Sequence, residues 1–406
     1  MIRKQLLPAL AVLALCAACE QGRTADPAGA APTDTDLANL GHPDSVLVWN
    51  AEERIAGFRN FDRLRPTNPI HAGSMPYPLP ERPTDLSHIR YDVDGESWAF
   101  DDFTRENHVA GLLVLHEGEI LHEEYGLGNT RDTRWVSFSI AKSVSSLLMG
   151  AAVQDGLIES LDAEITEYMP VFEGTSYEGV SVRDVLQMAS GVAWNEDYAD
   201  RESDISHSIG LTLEETFEYM GNLPRVAEPG EEFNYNTAET HVVGGVIRAA
   251  TGRGLADYLT EKIWRPFGME SDATWVLVEE GGPEYAGCCI NATLRDYGRI
   301  GLFVMADGVL PDGTRVLPES WMEESTAPSE GSAGYGYLWW RAGLGAFGAY
   351  GIFGQTIYID PDVDLIVVTH SAWPEATGDP WGSQRAAFFN ALSGTLRRAG
   401  TLDPPS

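Results

Sequence analysis

Segments that resemble β-strands lie near both ends of the chain, and helical patterns fill the region between them. Gly111–His116 and Glu119–Tyr125 flank the turn-forming pair Glu117-Gly118, which predicts a β-hairpin. Further strands are predicted at Tyr335–Trp340, Gln355–Ile359 and Asp364–Thr369. We therefore expect a mixed α/β fold in which N- and C-terminal pieces of the chain build one sheet.

Helical periodicity begins at Ser139 and dominates the middle of the chain. Apolar residues follow Ser139 at the spacing of one helix face: Ile140, Val144, Leu147, Leu148 and Ala151. A second pattern covers Ala238–Ala250, and a last helix is predicted over about Gly382–Arg398. The folded region thus divides into an α/β part, at about 90–142 and 270–400, and a helical insert at about 143–268.

The first 19 residues are typical of an export signal. Arg3 and Lys4 precede a short apolar run, which ends in Ala17-Ala18-Cys19 and is too short to span a bilayer as a helix. The ending resembles a bacterial lipobox, with Cys16 where an aliphatic residue is usual, so Cys19 is a candidate for lipidation. The chain is predicted to be exported, as a membrane-anchored lipoprotein or as a periplasmic protein without the lipid.

Composition limits both the organisation of the chain and its partners. Residues 20–45 are rich in Ala, Asp, Thr and Pro, which predicts a flexible linker ahead of one folded domain at 46–406. The 61 acidic residues against 27 basic ones give a net charge of −34, which repels nucleic acids and anionic lipids. Nucleic acid is therefore excluded as a partner, and membrane contact is expected only through the N-terminal lipid anchor.

Several familiar catalytic and structural patterns are missing from the sequence. It has no Gly-x-Ser-x-Gly pentapeptide and no His-Glu-x-x-His pair, and no Cys-x-x-Cys pair follows the predicted signal peptide. Cys288 and Cys289 are adjacent, and since a disulfide between neighbours is strained, they are interpreted as buried apolar side chains. We therefore expect chemistry without a metal or cofactor, in a domain held together by packing.

The tetrapeptide Ser139-Ile140-Ala141-Lys142 carries the strongest catalytic signal. Residues three positions apart on a helix lie on one face, so the hydroxyl and the amine can touch. A serine hydroxyl needs a base in contact to become a nucleophile, and burial can lower the pKa of a lysine enough to supply one. Only three lysines occur in the chain (Lys4, Lys142 and Lys262), which argues against coincidence at this spacing. The alternative is an ordinary helix start with a solvated lysine.

Two later segments can complete a site with these residues. In the first, Tyr235 directly precedes a predicted helix with Thr237 as its N-cap, and a tyrosine beside a lysine can pass a proton to a leaving group. In the second, Gly348–Gln355 is rich in glycine and enters a strand, so the N–H of Ile352 can act as an oxyanion donor. The alternatives are a core aromatic residue and a tight turn before an edge strand.

In this order along the chain, the three segments resemble the penicillin-recognising serine hydrolases. That superfamily includes class C β-lactamases, DD-peptidases, family VIII carboxylesterases and 6-aminohexanoate-dimer hydrolases. The resemblance spans about residues 90–400, and Asn195-Glu196-Asp197-Tyr198 and Gly351–Gln355 are most similar to the 6-aminohexanoate-dimer hydrolase branch. It implies a β-lactamase/transpeptidase-like fold, with an antiparallel sheet flanked by helices and a helical subdomain.

The resemblance also implies roles for individual residues. Ser139 would be the acylated nucleophile, Lys142 its base and Tyr235 the proton relay. The backbone N–H groups of Ser139 and Ile352 would form the oxyanion hole. The implied substrate contacts are Tyr198, Asn291, Tyr350 and Gly351.

Two departures from the β-lactamase pattern bear on the substrate. Thr237 stands where the Tyr-x-Asn motif has Asn, and Ala349-Tyr350-Gly351 stands where the family has Lys-Thr-Gly. In the family that lysine helps to hold the carboxylate of a β-lactam, so its loss from a chain at −34 argues against efficient penicillin binding. Small amides or esters are the predicted substrates. A β-lactamase or DD-peptidase, and a non-catalytic protein that binds cell-wall peptides, remain as alternatives.

Overall fold

The structure is a computed structural model that describes residues 32–399. The predicted signal peptide at 1–19, the lipidation candidate Cys19 and the first part of the predicted linker lie outside the described residues. No helix in the described part of the chain combines the length and the apolar character needed to cross a membrane.

The regular elements follow one another in this order. The helices are α1 (Asp34–Ala38), α2 (Ala51–Arg59), α3 (Phe61–Leu64), α4 (Phe100–Glu106), α5 (Ile140–Gln154), α6 (Ile165–Tyr168), α7 (Val182–Leu186), α8 (Asp204–Ser208), α9 (Leu213–Gly221), α10 (Thr237–Thr251), α11 (Leu255–Leu259), α12 (Arg265–Phe267), α13 (Leu294–Met305), α14 (Trp321–Thr326) and α15 (Trp381–Ala399). The strands are β1 (Thr67–Ile70), β2 (Arg90–Val93), β3 (Glu96–Ala99), β4 (Val109–His116), β5 (Glu119–Tyr125), β6 (Arg134–Val136), β7 (Ala273–Val276), β8 (Ile290–Thr293), β9 (Trp340–Gly343), β10 (Ala346–Gly351), β11 (Gln355–Asp360) and β12 (Leu365–Ser371).

The main sheet joins the two ends of the chain, as predicted. Its six strands run antiparallel in the order β5-β4-β12-β11-β10-β9, with β4 from the N-terminal part paired to β12 from the C-terminal part. The predicted hairpin corresponds to β4 and β5, and the helical insert to α5 through α12. The mixed α/β fold with an antiparallel sheet is therefore confirmed.

Helices cover both faces of this sheet. Along β4, Leu113 and Leu115 point into the core shared with α5 and α13, while Leu112 and Val114 point into a second cluster beneath α4 and α15. This alternation follows from the two-residue period of a strand, and burial on both faces explains why β4 has no polar side chain before its last residue, His116. In the second cluster, the rings of Phe103 and Phe388 are stacked with their centroids 3.9 Å apart.

A smaller sheet carries the chain toward helix α5. Its strands are ordered β1-β7-β8-β6, and β6 leads directly into the residues that precede α5. Helices α2 and α3 also pack against this sheet, because Trp49, Phe58 and Phe61 join the cluster around Trp135 of β6. The N-terminal helices thus support the sheet from which the predicted nucleophile emerges.

Three predictions about local structure are wrong. Residues 34–45 of the predicted linker include helix α1 and the start of a 3₁₀ turn at Pro43–Val48; Asp36 is buried there, 3.6 Å from Arg59. Tyr335–Trp340 is an irregular turn closed by one bridge between its ends, and strand β9 begins only at Trp340. Cys288 and Cys289 form a disulfide, and Cys289 has a φ of +74°.

The second cluster supplies a test of the fold at a residue that does not line the predicted site. Phe388→Ala removes a fully buried ring that also contacts Phe100 and Tyr91, so it should lower the free energy of unfolding by about 3–5 kcal/mol. Urea denaturation measures this, with exposed Asn390→Ala on the same helix expected within about 0.5 kcal/mol of the unaltered protein. A loss below about 1 kcal/mol for Phe388→Ala would contradict this packing.

Candidate active site

A strained turn places Ser139 at the start of helix α5. Phe138 has a φ of +44°, a conformation that costs an L-residue roughly 1–2 kcal/mol. Two hydrogen bonds with Ile290 of β8 hold the turn. The Ser137 N–H donates to the Ile290 carbonyl oxygen at 2.8 Å, and the Ile290 N–H donates to Ser137 Oγ at 2.9 Å. The half-buried hydroxyl of Ser139 therefore projects from a fixed backbone.

Lys142 lies against this hydroxyl, one helical turn further on. Its Nζ donates to Ser139 Oγ at 2.9 Å and to the Gly287 carbonyl at 3.0 Å, and the residue is only 1% exposed. Burial lowers the pKa of Lys142 to about 8, and the charge of Glu196 opposes part of that shift. The structure thus provides what a serine nucleophile needs: an amine in contact that loses its proton near neutral pH.

Tyr235 completes the predicted trio. Its ring lies 5.2 Å from Lys142 Nζ and is stacked on Trp340, with centroids 5.4 Å apart. Burial and the charge of Glu196 raise the pKa of Tyr235, while a hydrogen bond with Ser139 opposes that rise. The phenol therefore keeps its proton at neutral pH. The predicted N-cap is off by one residue, because the Asn236 side chain caps α10.

Ile352 follows the last residue of β10, at the first position of a short 3₁₀ turn. Gly351 makes this approach possible, because a Cβ there would lie 2.4 Å from the Ser137 carbonyl oxygen and 3.2 Å from Phe138 Cβ. As the first residue of its turn, Ile352 has no hydrogen-bond acceptor for its N–H within that turn. Both predicted oxyanion donors, Ser139 and Ile352, thus flank the same cavity.

An aromatic cluster holds the two backbone turns together. Phe138 precedes Ser139 and Phe353 follows Ile352, and both have positive φ angles, +44° and +61°. Their ring centroids are 5.5 Å apart, and each lies within 5.2 Å of Phe58 on helix α2. Since all three rings are buried, their packing offsets the strain of the two turns.

Glu196 connects the residues around the trio, although sequence reasoning gave it no role. Its carboxylate accepts from the Tyr198 hydroxyl at 2.8 Å, from the Thr237 N–H at 3.1 Å, and from the side chains of Thr237 and Trp194. Thr237, the departure from the family's Asn, therefore anchors this carboxylate at the start of α10. The charge of Glu196 acts on both Lys142 and Tyr235.

The remaining site candidates divide into two groups. Tyr198, Tyr350 and Gly351 line the same cavity as Ser139 and Tyr235. Asn291 does not line it: its side chain is buried in β8 and donates to Thr274 Oγ1 at 3.1 Å. Sequence proximity to the helix at Leu294 favoured Asn291, but the pleat of β8 turns this side chain toward strand β7.

Two cavities meet at Ser139. The first, with a volume of about 120 Å³, is mostly apolar and includes the Cys288–Cys289 disulfide and Lys142 in its wall. The second is a wider cleft of about 500 Å³ that contains Tyr235 and is lined by aromatic and charged side chains. We call them the apolar chamber and the polar cleft. Among residues 32–399, no three His, Cys, Asp or Glu side chains are grouped as metal ligands would be.

The polar cleft contains a cation although the family's lysine is absent. The Arg385 guanidinium from α15 lies 4.4 Å from the centroid of the Tyr350 ring and 5.0 Å from that of Trp373. Burial lowers the pKa of Arg385 from its usual value, and Tyr350 opposes that shift. This positive charge comes from helix α15, thirty-five residues after Tyr350.

Comparisons with known proteins agree with this architecture. The β-lactamase family profile matches residues 99–384. The 6-aminohexanoate-dimer hydrolase of Paenarthrobacter ureafaciens is 31% identical over 311 residues, which cover 70% of this chain and 78% of that protein. Esterase EstB of Burkholderia gladioli is 29% identical over 265 residues, covering 58% of this chain and 65% of that protein.

A solved structure supports the same assignment at the level of the fold. A Bacillus anthracis protein described as a 6-aminohexanoate-dimer hydrolase matches with a TM-score of 0.77 at 21% identity, covering 91% of this chain and 99% of that one. The β-lactamase/transpeptidase-like fold is thereby confirmed. With a profile match over most of its length and a relative 31% identical, the chain belongs to the β-lactamase family.

Proposed function

We propose that this chain is an exported serine hydrolase that cleaves amide or ester bonds of small substrates through an acyl-enzyme on Ser139. The observation that carries the proposal is the 2.9 Å hydrogen bond between Ser139 Oγ and the buried Nζ of Lys142. A lysine with a lowered pKa and no carboxylate within ion-pair distance, among the residues described, is suited to act as a base.

Acylation follows from the order of these groups. Neutral Lys142 takes the hydroxyl proton as Ser139 Oγ forms a bond to the substrate carbonyl carbon. The oxyanion develops against the N–H groups of Ser139 and Ile352. The Tyr235 hydroxyl then protonates the leaving nitrogen or oxygen as its bond to carbon breaks, and the Lys142 ammonium returns a proton to the phenolate.

Deacylation uses the same groups in reverse. A water molecule attacks the acyl carbon of the ester on Ser139, and its proton passes to the Tyr235–Lys142 pair. The tetrahedral intermediate collapses, the acid departs, and the Ser139 oxygen recovers its proton. Glu196 does not touch the reacting atoms in this scheme; it positions Thr237 and Tyr198 and adjusts the charge balance of Lys142.

The relatives support amide and ester substrates, since one is named a 6-aminohexanoate-dimer hydrolase and another an esterase. A β-lactamase or DD-peptidase is the second candidate, and Arg385 favours it because a guanidinium in the cleft can hold the carboxylate of such substrates. Hydrolysis of a chromogenic cephalosporin at rates comparable to those of simple esters would select this second candidate.

Export is proposed from residues 1–19 alone, which have the charge and apolar pattern of a signal peptide. Lipidation at Cys19 would then hold the domain at a membrane surface. Fractionation of cells that express the full chain tests this. Recovery of uncleaved, full-length protein in the cytoplasm would contradict export, and a Cys19→Ser variant that stays in the membrane fraction would contradict the anchor.

Ser139→Ala tests the function most simply. Against short p-nitrophenyl esters, a 6-aminohexanoate dimer and a cephalosporin, we expect kcat/KM to fall at least about a thousandfold for every compound that the unaltered protein hydrolyses. Circular dichroism and thermal unfolding should remain unchanged, because the hydroxyl is half-buried and supports no core contact. Equal turnover by both proteins would remove Ser139 from the mechanism, and no turnover of any compound by either would favour the non-catalytic binder.

The pH profile tests the role of Lys142. Only the neutral amine can accept the serine proton, so kcat/KM for an uncharged ester should rise to a plateau with a midpoint near 8, and should fall about tenfold per pH unit well below it. No descending limb is expected below pH 10, because Tyr235 keeps its proton there. A profile that is flat between pH 6 and 9 would contradict Lys142 as the base.

Glu196→Gln tests the effect of the Glu196 charge on the pKa of Lys142. Because the charge of Glu196 raises the pKa of Lys142, its removal should move the midpoint of the profile to lower pH. Glu159→Gln is the matched control, since this exposed residue lies beyond the far end of α5, about 20 Å from Ser139, and should leave the midpoint unchanged. A midpoint that moves to higher pH in Glu196→Gln would refute the electrostatic assignment.

A further inference from the structure

The two cavities that meet at Ser139 differ in charge and in which catalytic group they contain. The apolar chamber is walled by side chains such as Val46, Phe61, Ile205 and Val276. The polar cleft is wider and includes Tyr235, Trp340, Tyr350 and Arg385. Ser139, Tyr198 and Ile352 belong to both, so a bond attacked by Ser139 lies at the junction and its two halves extend into different cavities.

The position of Tyr235 determines which half of the substrate enters which cavity. In the proposed function, on which this inference rests, Tyr235 protonates the leaving group, and its side chain lines the polar cleft. Among the described residues, it does not line the apolar chamber. The leaving group must therefore enter the polar cleft, and the acyl group must occupy the apolar chamber.

The surroundings of Arg385 indicate the charge of the leaving group. Its guanidinium lies over the rings of Tyr350 and Trp373, and its one polar side-chain contact in the described part of the chain is Thr356 Oγ1 at 3.5 Å. No carboxylate in residues 32–399 lies within 4 Å of it, although acidic residues outnumber basic ones by 61 to 27. A partly desolvated cation without a counter-ion is costly unless a ligand supplies the charge.

The lining of the apolar chamber favours an uncharged acyl group. Its charged or ionisable lining includes Arg65, Lys142 and His241, and no Asp or Glu of the described chain is among the residues that line it. Burial lowers the pKa of His241 to about 3, so this ring is neutral. Lys142 is neutral when it acts as the base, and Arg65 is already paired with Asp44. An ammonium group in the acyl chain would therefore find no acceptor carboxylate in the lining, whereas an alkyl chain would bury apolar surface.

We propose that the substrates of this site are amides or esters that join a short, uncharged alkyl acyl group to a leaving group bearing a carboxylate, with the carboxylate bound by Arg385. Bidentate pairing with a guanidinium gives such a carboxylate a defined place. Contact with the Tyr350 and Trp373 rings restricts the movement of the guanidinium. The preferred substrate thus differs from a 6-aminohexanoate dimer, whose acyl half carries an ammonium.

Four matched amides test this proposal. Hexanoyl or 6-aminohexanoyl groups are each joined to 6-aminohexanoate or to hexylamine, and kcat/KM is measured from product release by mass spectrometry. N-hexanoyl-6-aminohexanoate should be the best of the four, at least about tenfold better than its hexylamine counterpart and than the 6-aminohexanoate dimer. A dimer hydrolysed faster than the hexanoyl compound would overturn the assignment of the apolar chamber.

Variants of Arg385 locate the effect. In Arg385→Met the preference for the carboxylated leaving group should fall to within about twofold, chiefly through KM, and Arg385→Lys should retain part of it. Arg398→Met, the same change on an exposed residue about 20 Å further along α15, should keep the full preference. A preference that survives Arg385→Met would overturn the carboxylate subsite.

The outcomes also separate this inference from the function beneath it. Release that depends on Ser139 but shows no preference for the carboxylate would overturn the subsite and leave the serine hydrolase in place. No Ser139-dependent release from the four amides or from uncharged p-nitrophenyl esters would overturn both.

Discussion

The buried ammonium of Lys142 is the group on which the arrangement of the site depends. Its side chain is 1% exposed, and its two polar contacts are a neutral hydroxyl and a backbone carbonyl. In that environment the charged form is penalised, so the amine is available as a base close to neutral pH. The negative charge of Glu196 limits how far burial lowers the pKa of Lys142. The Glu196 carboxylate is held in place by hydrogen bonds from Tyr198, Thr237 and Trp194. The pKa of Lys142 is thus set by two opposing effects, desolvation by burial and the charge of one nearby carboxylate.

The backbone around the site is held by packing that lies partly outside the matched family region. Phe138 and Phe353, each next to a proposed oxyanion donor, are in left-handed conformations that would relax without support. Phe58, on a helix that ends forty residues before the matched region begins, contacts both rings. The N-terminal helices are therefore part of the packing that fixes the backbone at Ser139 and Ile352, the proposed oxyanion donors.

Sequence reasoning recovered what local patterns encode. The hairpin, helix α5 and the Ser139–Lys142 contact follow from periodicity and spacing, and the scarcity of lysine made the last of these specific. It missed what depends on distant parts of the chain meeting. Arg385 lies thirty-five residues after Tyr350, and Glu196 forty-one before Thr237, so neither partnership leaves a local signal. The predicted linker failed for the same reason: residues near Asp36 are polar and rich in small side chains, but Arg59 and the aromatic cluster give them a place to dock.

The central claim is that Ser139 Oγ is a nucleophile activated by Lys142, and covalent trapping tests it most directly. A fluorophosphonate that reacts with activated serines should add one label to the unaltered protein, on the peptide that contains Ser139, as measured by intact mass and peptide mapping. Labelling should be faster at pH 9 than at pH 6.5 and should be lost in Lys142→Met. A label on another residue, or equal labelling of Lys142→Met at both pH values, would contradict the account.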